Sequence, residues 1–435
     1  MWSSREHPTE VPLSNHLINE VKEMYKKVLK LTAQSTVIEQ NGEEKQCVKI
    51  AFQNYKDCYQ DDGSDIIIYR REEPGYIFDY DEKEYFDCLP LPTPKEVIFR
   101  GHLKDMHTFC EYYDTTAAVG KVYAYWVGKG EVGESLTGPV AVKMRDRSVW
   151  WHFDEVLERT YKLKEKFPNI DLLQVGETRL GKPLVAILVG NRKNMIAAVG
   201  AVHAGESGPE ILITFLEEVL TETPDAFDKC GIAVFPSVSA DNREEMVNGA
   251  PWYIRKSAGG VDLNRNFDAD WDRVDFSYGL SSDDPKSPTY RGPCPNSEPE
   301  VKALIKLMET VNPRAVFSYH FLCSISTDRL LSYGGASNDP DYITALDKTS
   351  IEYSKAFREA IGAPERKFRT TELICSAGSL IAWLYKRGIV AFDLEMSGDL
   401  EETFPSKKDK STKEALDLAI KGHEAALLKM IKVFE

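Results

Sequence analysis

Two short runs and two isolated residues hold the residue types that could do chemistry in this chain: His203-Ala-Gly-Glu206, the segment GGVDLNRNFD spanning residues 259–268, His320, and Glu395. Two imidazoles and a carboxylate can hold zinc with one coordination position open, and a further carboxylate can work on water in that position. The combination implies a zinc hydrolase. The spacing alone is weak, because 69 of 435 residues are acidic and H-x-x-E also occurs at His7/Glu10 and His152/Glu155. His7 and Glu10 fall in a polar, Pro-containing start. His152 and Glu155 open the amphipathic run WWHFDEVLERTYKLKEKF, where Glu155 favours a helix start through the macrodipole.

The elements that must position these residues share one pattern. MIAAVGAV (195–202) reads as a buried strand with His203 at its end, and Ser207-Gly-Pro-Glu210 has capping-box spacing for a following helix. The pair therefore lies on a strand-to-helix turn, unlike H-E-x-x-H proteases, which carry both histidines on one helix. CGIAVFPSV (230–238) leads towards Asn242, RAVFSY (314–319) ends on His320, and GIVAFDL (388–394) ends on Glu395. Ligands of an open α/β sheet bind outside the carboxyl ends of its strands, and all the candidates converge on that edge. Each residue alone has a plainer reading: a polar turn for His203 and Glu206, a structural strand-end imidazole for His320, a local backbone cap for Asp262. It is their coincidence that favours a site.

Together these residues resemble the zinc metallocarboxypeptidases of the carboxypeptidase A and B type. The similarity runs from about residue 150 to about residue 405 through GETRLGKPLVAILVG, VHAGE, WYIRK, GGVDLNRNFD, TYRGPCPNSEPEV, the strand with His320, and FDLEMSGD before Phe404-Pro405. The resemblance implies His203, Glu206 and His320 as ligands of one zinc ion and Glu395 as the general base. It implies Asp262 as the partner of the second nitrogen of His203, fixing its tautomer, and Arg255 as the oxyanion-stabilising arginine. It implies Asn264 and Arg265 as the pair holding a substrate's terminal carboxylate, which a guanidinium fork suits. The side-chain pocket is set within SAGSLIAW, where Leu380 or Ile381 falls at the selecting position and predicts a taste for apolar C-terminal residues.

The chain departs from the family's pattern at three places. Gly205 stands where H-x-R-E has arginine, Phe321 follows the third ligand, and RTTELIC (369–375) lacks the tyrosine that closes over substrate, Tyr385 matching another aromatic position.

Composition bounds the rest. A chain of 435 residues with 42% hydrophobic content can bury a large core in two domains. Its net charge of -15 and lack of a concentrated basic face argue against nucleic acid. Acidic runs at 61–65 and 79–87 read as solvated loops or strand faces. No signal peptide or membrane segment is evident, and eight scattered cysteines without a C-x-x-C pair fit a reducing cytoplasm.

The predicted architecture is an α/β catalytic domain over 148–435, with a central mixed, mostly parallel sheet flanked by helices, behind a β-rich α+β accessory domain over 1–147. In the latter, 12–31 reads as a helix, followed by strands at 47–52, 66–69, 97–99, 122–127 and 140–142. An inhibitory pro-segment, cut within KMRDR (143–147), is the rival reading of this region. Ser411 to Phe434 reads as an amphipathic helix with Ser411/Glu414 at capping-box spacing and His423 packed on its apolar face. The function implied is removal of C-terminal residues from peptides, or from acyl-amino acids with a free carboxylate. A zinc amidase or deacylase on the same scaffold, or a catalytically weak zinc-bearing binding protein, are the alternatives.

Overall fold

The structure, a computed structural model, describes residues 29–53, 65–73, 96–102, 109–129, 136–251, 253–273, 281–320, 329–365, 369–374, 377–396 and 412–435. His7 and Glu10, residues 12–28 of the helix expected over 12–31, most of the acidic run 61–65 and all of 79–87, Phe321, Cys375 and Phe404-Pro405 lie outside them. The chain divides into two compact units, with the break in the chain at Met144/Arg145.

The first unit is all antiparallel. Strands β1 (Leu29–Gln40), β2 (Glu43–Gln53) and β5 (Phe109–Asp114) form a three-stranded sheet in the order β1-β2-β5. Strands β3 (Ile66–Glu72), β4 (Glu96–Gly101), β6 (Val122–Lys129) and β7 (Leu136–Lys143) form a second sheet in the order β4-β3-β6-β7. The five predicted strands are all present. Leu29 to Leu31, expected at the end of a helix, instead open β1, and β5 is additional. The reason is Asn41-Gly42, both at positive φ, which closes a two-residue hairpin and pairs Gln40 with Glu43. Along β3, Ile66 and Ile68 join one buried cluster while Ile67 and Tyr69 join another, as period-two alternation dictates.

The second unit is built on an eight-stranded sheet. Its strands are β8 (Asp171–Glu177), β9 (Pro183–Val189), β10 (Met195–Gly200), β11 (Gly231–Phe235), β12 (Ala315–Tyr319), β13 (Arg329–Tyr333), β14 (Arg369–Ile374) and β15 (Val390–Glu395), in the order β14-β13-β15-β12-β10-β11-β9-β8. Four of its seven pairings are parallel and three antiparallel. The sheet is mixed and mostly parallel, as the sequence predicted.

Seven α-helices among the described residues complete the unit: α1 (Phe153–Lys166), α2 (Gly208–Glu222), α3 (Arg243–Val247), α4 (Pro299–Val311), α5 (Pro340–Ala360), α6 (Leu380–Tyr385) and α7 (Lys413–Val433). Central strands buried on both faces read as unbroken apolar runs, and each strand divides its residues between two cores. Ile196, Phe317 and Phe392 pack with α2, α5 and α7 in one cluster, whereas Ala197, Val316 and Ala391 pack with α4 and α6 in the other. No described helix is long and apolar enough to cross a membrane.

Two capping expectations change. Thr412, rather than Ser411, caps α7 by accepting from the Ala415 amide at 3.1 Å. Ser207 occupies the cap position of α2 without a side-chain cap bond, because Glu210 turns instead to the Trp151 amide and to Arg243.

Candidate metal centre

The turn after β10 is set by close backbone contact. A Cβ on Gly200 would lie 2.3 Å from the Pro236 carbonyl and 2.9 Å from Gly208, so the end of the strand and the start of α2 meet at a distance only glycine allows. Between them, Ala201 takes a positive φ of 46° and the chain presents His203 and Glu206. His320 follows β12, and its amide donates to the Leu394 carbonyl of β15 at 2.9 Å. Three segments distant in sequence thus meet at one sheet edge.

There His203, Glu206 and His320, all buried, bring one ligand atom each within 4.8 Å of one another. Glu206 Oε1 lies 2.7 Å from His203 Nδ1 and 3.0 Å from His320 Nδ1, and accepts from the Tyr253 hydroxyl at 2.9 Å. Both Nδ1 atoms therefore face the same point, and the opposite nitrogens face outwards to fixed partners. His203 Nε2 is 3.1 Å from Asp262 Oδ1; His320 Nε2 is 2.8 Å from Ser318 Oγ and 3.3 Å from Asp393 Oδ1. Two imidazole nitrogens and a carboxylate, with each imidazole held from behind, fit zinc and its usual supporting partners.

The electrostatics follow from burial among charges. Burial alone raises the Glu206 carboxyl, but the imidazoles of His320 and His203 outweigh it and hold the group well below the usual carboxylate range. Asp262 is likewise driven down, against burial, by Arg255 and Arg265 and by its bond to His203. Burial disfavours the charged His320 ring, yet Glu206 and Asp393 raise its pKa well above the ordinary histidine value. Glu395 shifts the other way: burial pushes it well up, Glu206 and Asp393 add to that, and His320 and Arg255 oppose it. Its side chain is half-buried with Oε2 shut away from solvent. A carboxyl so placed, at the end of β15 beside the cluster, stands where a general base must stand.

The structure also locates the other residues implied by the resemblance. Arg255 turns its guanidinium onto Asp262, with Nε and Nη2 both 2.7 Å from Oδ2. Asn264 and Arg265 lie in a 3₁₀ turn, Leu263–Arg265, capped by Asp262, which accepts the Asn264 amide at 3.0 Å. Arg265 donates to the Asn264 carbonyl at 2.7 Å. Asn264 joins Asp393 and the Leu380 amide through the two ends of its side chain, at 3.0 and 2.9 Å. Gly378, at φ 71°, brings the loop before α6 against this turn, where a Cβ would stand 2.1 Å from the Arg265 carbonyl. Leu380 and Ile381 both have 0% exposure inside the cluster shared with α4. The two side chains are core packing here and present no solvent-facing surface.

Sequence reasoning missed Tyr253, Ser318 and Asp393. Tyr253 had a signal, since it lies two residues before Arg255 in WYIRK. Asp393 had one too, as the only charged residue inside the buried run GIVAFDL.

Comparison with known proteins agrees with this geometry. The sequence model described as Zinc carboxypeptidase matches residues 156–418. Mast cell carboxypeptidase A of Mus musculus is 24% identical over 309 residues, covering 64% of this chain and 70% of that protein. Carboxypeptidase A6 of Homo sapiens is 27% identical over 283 residues, covering 60% and 63%. Among solved structures, bovine thrombin-activatable fibrinolysis inhibitor in complex with tick carboxypeptidase inhibitor shares the fold, with a TM-score of 0.54, 19% identity, and coverage of 66% of this chain and 98% of that one. Carboxypeptidase A from Helicoverpa armigera does so with a TM-score of 0.53 and 16% identity, covering 66% and 74%. With more than half the sequence matched and a His-Glu-His cluster at the carboxyl edge of the sheet, the chain belongs to the zinc carboxypeptidase family of metallopeptidases.

Proposed function

We propose that the chain hydrolyses the C-terminal peptide bond of peptides, using one zinc ion held by His203, Glu206 and His320. The observation that carries this reading is the convergence of those three residues at one sheet edge, with Glu395 at the end of the neighbouring strand β15 and Arg255 held on Asp262. Zinc in such a site supplies Lewis acidity and lowers the pKa of water at its open position. Glu395 takes the water's proton and passes it to the leaving amine. Arg255, released from Asp262 or shared with it, stabilises negative charge on the scissile carbonyl oxygen. Arg265 pairs with the terminal carboxylate, and Asn264, with one amide hydrogen on Asp393, keeps the other for the same group.

Glu395→Gln tests the mechanism. The variant should keep its zinc and lose roughly 10²- to 10⁴-fold in turnover, the usual worth of a general base, and near-normal turnover removes Glu395 from the reaction. Substrate class is tested with peptides ending in Phe, Leu, Lys, Arg and Glu, and with C-terminal amides. An apolar preference is expected, not from Leu380 or Ile381, which are core, but because the segment SAGSLIAW holds no charged side chain that could pair a buried charge. A clear preference for Lys, Arg or Glu refutes it, and ready cleavage of amides refutes the role of Arg265.

A zinc amidase or deacylase is the second reading, favoured by the absence of a tyrosine from 369–375. A library of peptides and acyl-amino acids read by mass spectrometry separates the two. The residues up to 147 are proposed as an accessory domain. A cytoplasmic location belongs to the same proposal and is supported by the free thiols of Cys47, Cys230 and Cys294 among the described residues; cell fractionation tests it.

A further inference from the structure

His203 and His320 are supported from behind in parallel ways, and the second support has no place in the mechanism above. For His203 the chain runs from Arg255 to Asp262 to Nε2. For His320 it runs from the Leu380 amide to Asn264 Oδ1, then from Asn264 Nδ2 to Asp393 Oδ2, and from Asp393 Oδ1 across 3.3 Å to Nε2. Asp393 sits opposite Ser318 in the parallel pairing of β15 with β12, two residues before Glu395 and 4% exposed. A buried carboxylate is costly unless it is paired. Among the described residues, Oδ1 makes no ordinary hydrogen bond, and what it faces is the His320 ring nitrogen.

We propose that Asp393 is the positioning residue of His320, with Asn264 as the brace that aims it. A carboxylate behind Nε2 holds the proton there and leaves the Nδ1 lone pair directed at Glu206 and the metal. Without it, the ring is free to take the other tautomer, in which Nδ1 carries the proton and cannot ligate. Ser318 Oγ is nearer, at 2.8 Å, but a hydroxyl both donates and accepts and so does not choose between tautomers. A carboxylate only accepts. Asn264 adds a link from this support to the substrate-binding turn, since its remaining amide hydrogen is the one assigned above to a terminal carboxylate.

The test uses the full chain and zinc alone, with affinity measured by competition against a chelator. Asp393→Asn, close to isosteric, should weaken zinc binding about 10- to 100-fold, the usual cost of removing such a partner. Asp393→Leu should weaken it further, while Ser318→Ala should change it less than about threefold on the same scale. Nitrogen NMR of histidine-labelled, zinc-free protein, at a pH where the His320 ring is neutral, supplies a readout that loosened packing does not move, because zinc on Nδ1 would itself fix the proton on Nε2. The His320 ring should carry its proton on Nε2 in the wild type and lose that fixed tautomer in Asp393→Leu. Should Asp393→Leu fail to fold, Asp393→Asn decides. Unchanged affinity and an unchanged tautomer in Asp393→Asn overturn the proposal, and so does a Ser318→Ala loss as large as that of Asp393→Asn. No substrate enters these measurements, so they stand apart from the peptidase reading. Glu395→Gln, which should bind zinc normally, serves as the control.

Discussion

Arg243, fully buried on α3, supports the turn that carries His203 and Glu206, and replacing it should cost both stability and zinc affinity. Its Nη1 donates to the carbonyls of Ala204 at 3.0 Å and Glu206 at 2.7 Å, its Nε to the Trp151 carbonyl at 3.1 Å, and its Nη2 to Glu210. Arg243→Met keeps most of the apolar volume and removes every one of these bonds. Breaking a buried ion pair by removing one partner costs roughly 3 to 5 kcal/mol, so a loss of about 4 kcal/mol is expected near pH 8, or roughly 10 °C in melting temperature. The loss must depend on pH. Burial already raises the Glu210 carboxyl despite Arg243, and without the cation it rises further. A raised carboxyl contributes stability that is full below its unfolded pKa, about 4.3, and lost as pH climbs through the folded value. The gap between variant and wild type should therefore widen from pH 5 to pH 8. With two carbonyls of the turn unanchored, zinc affinity should drop at least about tenfold. Urea titrations at pH 5 and pH 8, with zinc competition in parallel, decide the matter. A variant melting within about 2 °C of wild type, with a gap that does not change with pH, would falsify the account.

His423 gives a pH dependence of the opposite sign. It is fully buried on α7 between the Tyr353 hydroxyl at 2.7 Å and the Met396 carbonyl at 3.2 Å, and burial holds its pKa down to about 3. Its unfolded value is near 6.5, so the stability it contributes is present above that pH and is lost as pH falls towards the folded value, at up to about 1.4 kcal/mol per unit. Urea titrations of His423→Gln between pH 7 and pH 4.5 should show a shallower slope than wild type, and matching slopes would remove His423 as the cause. For the accessory domain, the chain from Ser148 onward is compared with the full chain. Poor solubility or an altered preference for substrate size is expected of it, whereas a soluble truncation with much higher activity establishes the inhibitory pro-segment instead.

The site was legible where chemistry sits at the end of an element. A buried strand is an apolar run, so the first polar residue beyond it, such as His203 or His320, stands out and its sheet edge is implied. What was not legible depends on partners chosen by the fold. Asp393 breaks the run GIVAFDL, but its meaning comes from Ser318 across β12 and from Asn264, which is 129 residues away. Leu380 and Ile381 are equally apolar neighbours on one short helix, and nothing in their spacing distinguishes a pocket wall from core; both are core-packed here. In the first unit, LKLTAQSTVIEQ carries too little alternation to announce a strand, and it was the Asn41-Gly42 turn, together with pairing to β2, that made it one.

The same contrast explains why candidate ligands as far apart in sequence as Glu206 and His320 form a compact site. β10, β12 and β15 are parallel neighbours, so their carboxyl ends fall on one edge and any residue following them is delivered to the same place. Parallel pairing fixes the position of each backbone but not the direction in which an imidazole points. That second requirement falls to carboxylates on other segments: Asp262 at the cap of the Leu263–Arg265 turn, and Asp393 within β15, the strand beside β12. Two nearly orthogonal demands, delivery and aim, are thus met by different residues. Delivery is written in the strand pattern and can be read directly, whereas aim depends on which side chains the packed layers finally place behind each ring.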